Sequence, residues 1–384
     1  MNKSYTVRSA MVRFAQIATA SAAIALLAAC GGGDDNNNNS TPPGGIKLQV
    51  VAFGDSLSDA GTYSTVITPA FGGGRFTTNP GQVFTQNVAQ YYGDTLTPAA
   101  TGGFGVPLTP QAGLDYAQGG SRVTLQPGIG HATTGAASDA FSQATTIPIN
   151  DQVSTYIAAH GSFNANQLVL INGGANDILL NLAQAQGAAA AAAAGQITPA
   201  AAQAAATAAS AAIQQAALDL ATVIGRVVQA GATHVVVSNV PDIGTTPQGL
   251  MSADKGTTLS NASNGFNLVL KTALTQTGLI SKVVYVDVPP LLANITANFQ
   301  SLGFTVSNTG TACNLQAMVT AAAKFGETDP TAFGSSLFCS PQTLTVAGAD
   351  QTYMYADTIH PTTHLHLLYA QAVEKAIAAS GLGK

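Results

Sequence analysis

Four short runs of apolar, mostly β-branched residues constrain this chain more than any other feature. They cover residues 48–53, 168–171, 234–240 and 283–288. Each ends in a polar or turn-forming stretch, and helical patterns lie between them. Runs of this length that lack alternation read as strands buried on both faces. Strands alternating with helices predict a parallel sheet covered on both sides, the α/β class. A weaker apolar signal before Ala117-Gln118-Gly119-Gly120 predicts a fifth strand there.

The intervening segments are read by period and by turn chemistry. Helices are expected over residues 83–92, 151–159 and 363–379. Residues 71–79 and 97–111 are rich in Gly, Pro and Thr and are read as loops; both lie close to Ser56 in sequence and are candidates for one wall of the cleft. Residues 183–217 form an alanine run interrupted at Gly187, Gly195 and Pro199. Alanine is the best helix former, so the run predicts a helical hairpin broken at those positions. It is read as filler without chemistry, or else as a lid whose apolar face meets lipid. Residues 292–304 and 318–338 are read as irregular.

The chain has 384 residues, 46% hydrophobic and only 8% charged. That is enough for one large core. Lys3, Arg8 and Arg13 precede a short apolar stretch, residues 17–29, which is too short to span a bilayer. The pattern predicts a secretory signal peptide over residues 1–29. Without it the chain keeps 10 cationic side chains against 18 acidic ones, a formal charge of −8. No basic patch remains for a phosphate backbone, which argues against a nucleic-acid partner. The leader ends in Leu27-Ala28-Ala29-Cys30. This resembles the bacterial lipobox, which implies a lipidated Cys30 and a membrane anchor; ordinary cleavage nearby is the other reading. Gly31 stands where inner-membrane lipoproteins carry aspartate, so the resemblance implies the outer membrane, with a periplasmic or secreted protein as the alternative. Residues 30–45 hold no apolar side chains after the cysteine and are expected to be a flexible tether, with folding from about Ile46. Cys313 and Cys339 then remain, an even pair that reads as one disulfide in an oxidising compartment. Such a bridge contributes on the order of 3 kcal/mol. A metal site is disfavoured by the lack of further His or Cys nearby, and no cofactor is expected.

Four stretches carry chemistry. The first, Phe53-Gly54-Asp55-Ser56-Leu57-Ser58-Asp59-Ala60-Gly61, places a serine at a strand's carboxyl end, where open α/β sheets bind ligands. In Tyr116-Ala117-Gln118-Gly119-Gly120-Ser121 the glycines let backbone N–H groups approach a substrate, or simply form a turn. In Asn172-Gly173-Gly174-Ala175-Asn176-Asp177 the side chain of Asn176 can donate to an oxyanion or cap the next helix. Asp357-Thr358-Ile359-His360-Pro361 sets an acid three residues before a histidine, on one side of a turn. Serine, acid and histidine are the inventory of nucleophilic acyl transfer. His131, His160, His234, His364 and His366 have no comparable partner.

In this order the four stretches resemble the GDSL family of lipases and esterases, the SGNH hydrolases. The resemblance runs from Gly54 to Pro361, and Pro241-Asp242-Ile243-Gly244-Thr245-Thr246-Pro247 also looks like a family stretch. It implies a three-layer α/β/α, flavodoxin-like SGNH-hydrolase fold over residues 46–384, with a mostly parallel sheet of about five strands. It implies Ser56 as nucleophile, His360 as base, Asp357 as orienting acid, and an oxyanion hole from Ser56, Gly120 and Asn176. Asp59 is read as structural. Asp115 stands where the family commonly has asparagine. The Gly-x-Ser-x-Gly elbow of the α/β-hydrolases is missing from these stretches. The partner is then an ester or lipid substrate. A phospholipase or acyltransferase of the same family is the nearest rival, and an inactive surface-binding lipoprotein the distant one. No autotransporter barrel is expected after the final helix.

Overall fold

The computed structural model of the chain describes residues 41–131, 143–324 and 329–382. The leader, Cys30 and the tether up to Ser40 lie outside the described residues. From Gly44 the chain is engaged by the fold, since the Gly44 N–H donates to the Tyr91 carbonyl at 3.0 Å.

The strands are β1 (Gln49–Phe53), an antiparallel pair β2 (Ala100–Gly103) and β3 (Val106–Pro110), then β4 (Gln167–Asn172), β5 (His234–Ser238) and β6 (Val284–Val286). The main sheet has the order β1-β4-β5-β6, and every pairing in it is parallel. Strand side chains alternate between faces, and the cores follow that alternation. Val51, Phe53, Val169, Ile171, Val235 and Val237 face one way, onto helices Ile149–His160, Pro199–Gln229 and Thr257–Gln276. Val50, Ala52, Leu168, Leu170 and Val236 face the other way, onto helices Phe84–Tyr91, Val288–Ala297 and Thr363–Ala379. Helices on both faces of a parallel sheet make the three-layer α/β/α architecture.

The expected fifth strand is reduced to a fringe on β1. The Ala52 N–H donates to the Leu114 carbonyl at 3.1 Å, and the Tyr116 N–H to the Ala52 carbonyl at 2.9 Å. Pairing stops there because Asp115 turns its carboxylate onto the Ala60 and Ala117 N–H groups and the chain bends away. Residues 97–111, expected as a loop, contain the β2–β3 hairpin. Gly102, Gly103 and Gly105 all take positive φ, and Phe104 joins them at 52°. Four successive turn-forming residues thus reverse the chain where the composition suggested only irregularity, and the prolines of β3 sit on an exposed edge strand that tolerates them. Residues 292–304 and 318–338 are also more regular than expected, because helices Val288–Ala297 and Leu315–Lys324 enter them.

The alanine run continues two helices, Ala175–Ala193 and Pro199–Gln229, packed side by side. Thr198 caps the second through its side chain, and Pro199 takes the first helical position. Gly187 does not break the first helix; the backbone there is helical and open space surrounds it. One glycine among strong helix formers costs less than ending the helix. At 1.5 Å per residue the second helix is about 46 Å long. Its buried residues fall between Ala209 and Val227. Its C-terminal end lies at the amino end of the sheet, where the Ala230 carbonyl accepts the Phe163 N–H at 2.9 Å. The hairpin's far half therefore projects beyond the carboxyl end of the strands. Pro199–Gln229 is also the one described helix long and apolar enough to cross a membrane, yet half of its most apolar window is buried in the fold.

Replacing Gly187 by alanine removes the entropic cost of a solvent-exposed helical glycine. It is expected to strengthen that helix by roughly 0.5–1 kcal/mol. Slower amide hydrogen exchange across residues 183–193 is the expected signature; faster exchange would show that the site is not helical.

Candidate active site

The turn after β1 is built around a close approach. A Cβ on Gly54 would lie 2.2 Å from Oδ1 of Asn172, the last residue of β4. Asn172 uses its side chain to hold that turn: Nδ2 donates to Asp55 Oδ1 at 2.7 Å, and Oδ1 accepts the Ser58 hydroxyl. Gln152 completes the clamp, accepting the Gly54 N–H and donating to the Gly54 carbonyl, both at 2.9 Å. Ser56 follows at the rim of the sheet, 8% exposed. Burial pushes Asp55 above the usual carboxylate range, against the Leu57 N–H and the Asn172 amide.

The turn at residues 357–360 meets that serine. His360 Nε2 lies 2.9 Å from Ser56 Oγ, across 304 positions of sequence. His360 Nδ1 lies 2.8 Å from Asp357 Oδ2. Asp357 also accepts the Ile359 and His360 N–H groups on Oδ1, at 2.9 and 2.7 Å, and the Ser336 N–H on Oδ2 at 2.7 Å. Burial by itself would raise its pKa, but the neighbouring imidazole and these donors hold it well below the usual carboxylate range. A carboxylate with Nδ1 at hydrogen-bond distance favours the tautomer protonated on Nδ1, which leaves Nε2 to accept from Ser56. Phe76, in the expected wall segment, lies against the imidazole with ring centroids 5.1 Å apart. The Thr77 hydroxyl donates to the Pro361 carbonyl at 3.1 Å, and the Gln248 N–H to the Thr358 carbonyl at 2.8 Å.

Behind Asp357 lies a satellite apolar cluster that contains Tyr63, Phe76, Phe338, Cys313 and Cys339. The two cysteines are joined, with Cα atoms 5.9 Å apart. The Cys313 N–H donates to the carbonyl of Ala356, the residue before the acid, at 2.9 Å. Cys339 follows Ser336 by three residues. The bridge therefore fastens two segments that both border Asp357.

The loop carrying Gly120 is drawn to the same turn. The Gln118 N–H donates to the Gly54 carbonyl at 3.2 Å, and the Gly119 N–H to Asp59 Oδ2 at 2.8 Å. Gly120 has φ of +84°, where a side chain would be strained. Among the described residues the N–H groups of Ser56 and Gly120 have no acceptor. Asn176 lies in the first turn of helix Ala175–Ala193, with Nδ2 donating to the Ser121 carbonyl at 2.8 Å and a second amide proton to spare. Its neighbour Asp177 fixes that turn, pairing with Arg122 Nε at 3.0 Å and accepting the Val123 N–H at 2.9 Å.

Of the remaining histidines, His131, His160 and His364 bond the Ala144 carbonyl, Tyr116 and the Gln351 carbonyl, and His234 opens β5. His366 is buried, accepts the Phe84 N–H at 3.1 Å, and is pushed down to about 3 by burial, so it stays neutral. Among the described residues no group of three or more His, Cys, Asp or Glu side chains could hold a metal ion. Asn172, Gln152 and Ser336 were not singled out by sequence reasoning. They bond backbone or side chains far away in sequence and carry no local signal, although Asn172 stands directly before Gly173-Gly174.

A serine hydroxyl, an imidazole and a carboxylate in one hydrogen-bonded line, beside two unengaged N–H groups, define a site for nucleophilic attack on a carbonyl. The GDSL-like Lipase/Acylhydrolase family model matches residues 50–373, and the chain belongs to that family, whose members are hydrolases of ester bonds. No curated protein is similar enough to the chain to count as a match.

Replacing Cys313 and Cys339 together by serine should cost about 3 kcal/mol of stability. It should also lower ester hydrolysis at temperatures where the protein is still folded, because both segments bordering Asp357 are released. Unchanged melting and unchanged activity would show that the bridge supports neither.

Proposed function

We propose that the protein is a carboxylic ester hydrolase, an esterase or lipase working through an acyl-enzyme on Ser56. The observation that carries this reading is the 2.9 Å contact between Ser56 Oγ and His360 Nε2, with Nδ1 of the same ring held on Asp357. Ser56 Oγ attacks the ester carbonyl carbon and its proton passes to His360 Nε2. Asp357 keeps the ring oriented and stabilises the imidazolium. The oxyanion is received by the N–H groups of Ser56 and Gly120 and by the second Nδ2 proton of Asn176. Each such donor is worth about 2.7–4 kcal/mol in the transition state. The intermediate expels the alcohol, which takes the proton from His360. Water then attacks the acyl-enzyme with His360 again as base, releasing the acid and Ser56. No cofactor or metal is used.

The enzyme is further read as an exported lipoprotein, anchored through Cys30 by a tether over residues 30–45. The support is the positive leader, the Leu27-Ala28-Ala29-Cys30 ending and a tether without apolar side chains. An outer-membrane position follows from Gly31.

Ser56→Ala is expected to abolish hydrolysis of a chromogenic short-chain ester and labelling by a fluorophosphonate probe, with melting unchanged. Asn176→Ala should lower kcat about a hundredfold or more. Full activity of the Ser56 variant would remove the nucleophile. Cys30→Ala is expected to move the protein from the membrane fraction to the soluble fraction of a bacterial host; retention in the membrane would remove the anchor.

A further inference from the structure

Two buried carboxylates lie between the turn carrying Ser56 and the loop carrying Gly120, and each reaches across to the other's backbone. Asp59, three residues after Ser56, accepts the Gly119 N–H on Oδ2 at 2.8 Å. Its Oδ1 accepts the Gly61 and Thr62 N–H groups at 2.9 and 2.7 Å. Asp115, on the opposite segment, accepts the Ala60 N–H on Oδ2 and the Ala117 N–H on Oδ1, the latter at 3.2 Å. So the acid of the turn holds the loop, and the acid of the loop holds the turn. Asp59 is fully buried and Asp115 is 1% exposed.

Such an arrangement is expensive. Burial pushes both carboxyls above the usual range, and the charge of Asp59 pushes Asp115 further. What it holds explains the cost. The loop runs through two consecutive glycines, whose backbone is the freest in the chain. Neither can hold itself with a side chain, since a Cβ on Gly119 would lie 2.0 Å from the Phe76 ring and Gly120 needs positive φ. Acceptors from elsewhere must therefore fix the loop. The strap from Asp59 ends on the Gly119 N–H, one residue before the unengaged Gly120 N–H.

We propose that Asp59 and Asp115 are positioning residues of the oxyanion pocket, a reciprocal clasp that sets the spacing between the Ser56 and Gly120 N–H groups. This rests on the reading above of those two groups as oxyanion donors. Neither acid touches the substrate. Asparagine fills the same volume but keeps only one acceptor oxygen, and its NH2 then faces a backbone N–H. At position 59 the change leaves no cavity and sets the NH2 against the Gly119 N–H or against those of Gly61 and Thr62; at position 115, where asparagine is common in the family and its one oxygen can still take the Ala60 N–H, alanine is needed to open the strap.

The test uses the full chain with Asp59→Asn, Asp115→Ala and both together. Each variant is measured for kcat and KM on a chromogenic ester, for affinity toward an alkyl boronic acid that mimics the tetrahedral adduct, and for melting. The expected result is a fall in kcat of about tenfold to a hundredfold at nearly unchanged KM. Boronate affinity should fall with kcat, and the double variant should be little worse than the poorer single one, as for groups acting as one unit. Folded variants with unchanged kcat and boronate affinity would overturn the clasp, and so would losses confined to KM or multiplying in the double variant. Should the substitutions prevent folding, amide exchange in the unchanged chain decides. Protected Ala60 and Gly119 amides beside an exchanging Gly120 amide support the clasp, and rapid exchange of the first two overturns it. Fluorophosphonate labelling of the unchanged chain separates the two levels. With Ser56 labelled and the variants unaffected, the clasp alone fails; with Ser56 unlabelled, the reading beneath it fails as well.

Discussion

The approach of β1 to β4 at their carboxyl ends governs what the site can be. The two strands pair in parallel up to Phe53 opposite Ile171, and the next residue of β4, Asn172, then turns its amide into the space beside Gly54. A side chain at position 54 would collide with that amide. With the glycine there, one Asn172 side chain reaches both Asp55 and Ser58 and spans the turn carrying Ser56 from below. The position of Ser56 is thus set by the neighbouring strand and by Gln152, more than by the turn's own conformational preferences.

Asp357 and His360 arrive by a different route. Residues 357–360 are not on a strand of the main sheet. They are held by backbone amides from their own turn, by Ser336, and by the apolar cluster around the disulfide. Burying a carboxylate is costly unless its lone pairs are satisfied. Here three N–H groups and the imidazole satisfy Asp357, so the charged form is the stable one despite burial. An ionised Asp357 is also the partner that the proposed proton transfer to His360 Nε2 requires. The same donors therefore serve folding and orientation together.

How much of this was legible follows from the range of each interaction. The sheet strands were visible because β-branched runs report burial locally, and the parallel order followed from the helices between them. Ser56, Asp357 and His360 were visible because their spacing is fixed within short motifs; that they meet is a tertiary fact. The exchange of bonds between Asp59 and Gly119 left no local mark, since an acceptor for a distant backbone N–H places no demand on its own neighbours. Ser336 was invisible for the same reason, as only its N–H takes part. The β2–β3 hairpin was missed because glycine and proline signal a turn without saying whether paired strands flank it. Gly187 misled in the other direction, because a helix of alanines absorbs one glycine that a weaker helix would not.

The alanine hairpin shows how a projecting element can begin at the site and still be separated from it. Its first helix starts at the residues beside Asn176, so a rigid helix would carry any tilt of the hairpin straight into that side chain. The first turns prevent this. Asn176 bonds the Ser121 carbonyl, Asp177 pairs with Arg122 and the Val123 N–H, and Ile178 is buried in the core. Beyond Asn181 no residue of that helix is buried, and its main neighbour is the second helix. No charged side chain occurs between Asp177 and Asp219, so no ion pair ties the far half back to the body. Asp219 marks the return, accepting the Thr124 hydroxyl at 2.9 Å on the segment that follows Arg122. Asp177 and Asp219 thus each bind the segment formed by residues 122–124, one at the start of the projection and one at its end. Between these two points the helices pack mainly on each other, and alanine at most positions is enough for that contact.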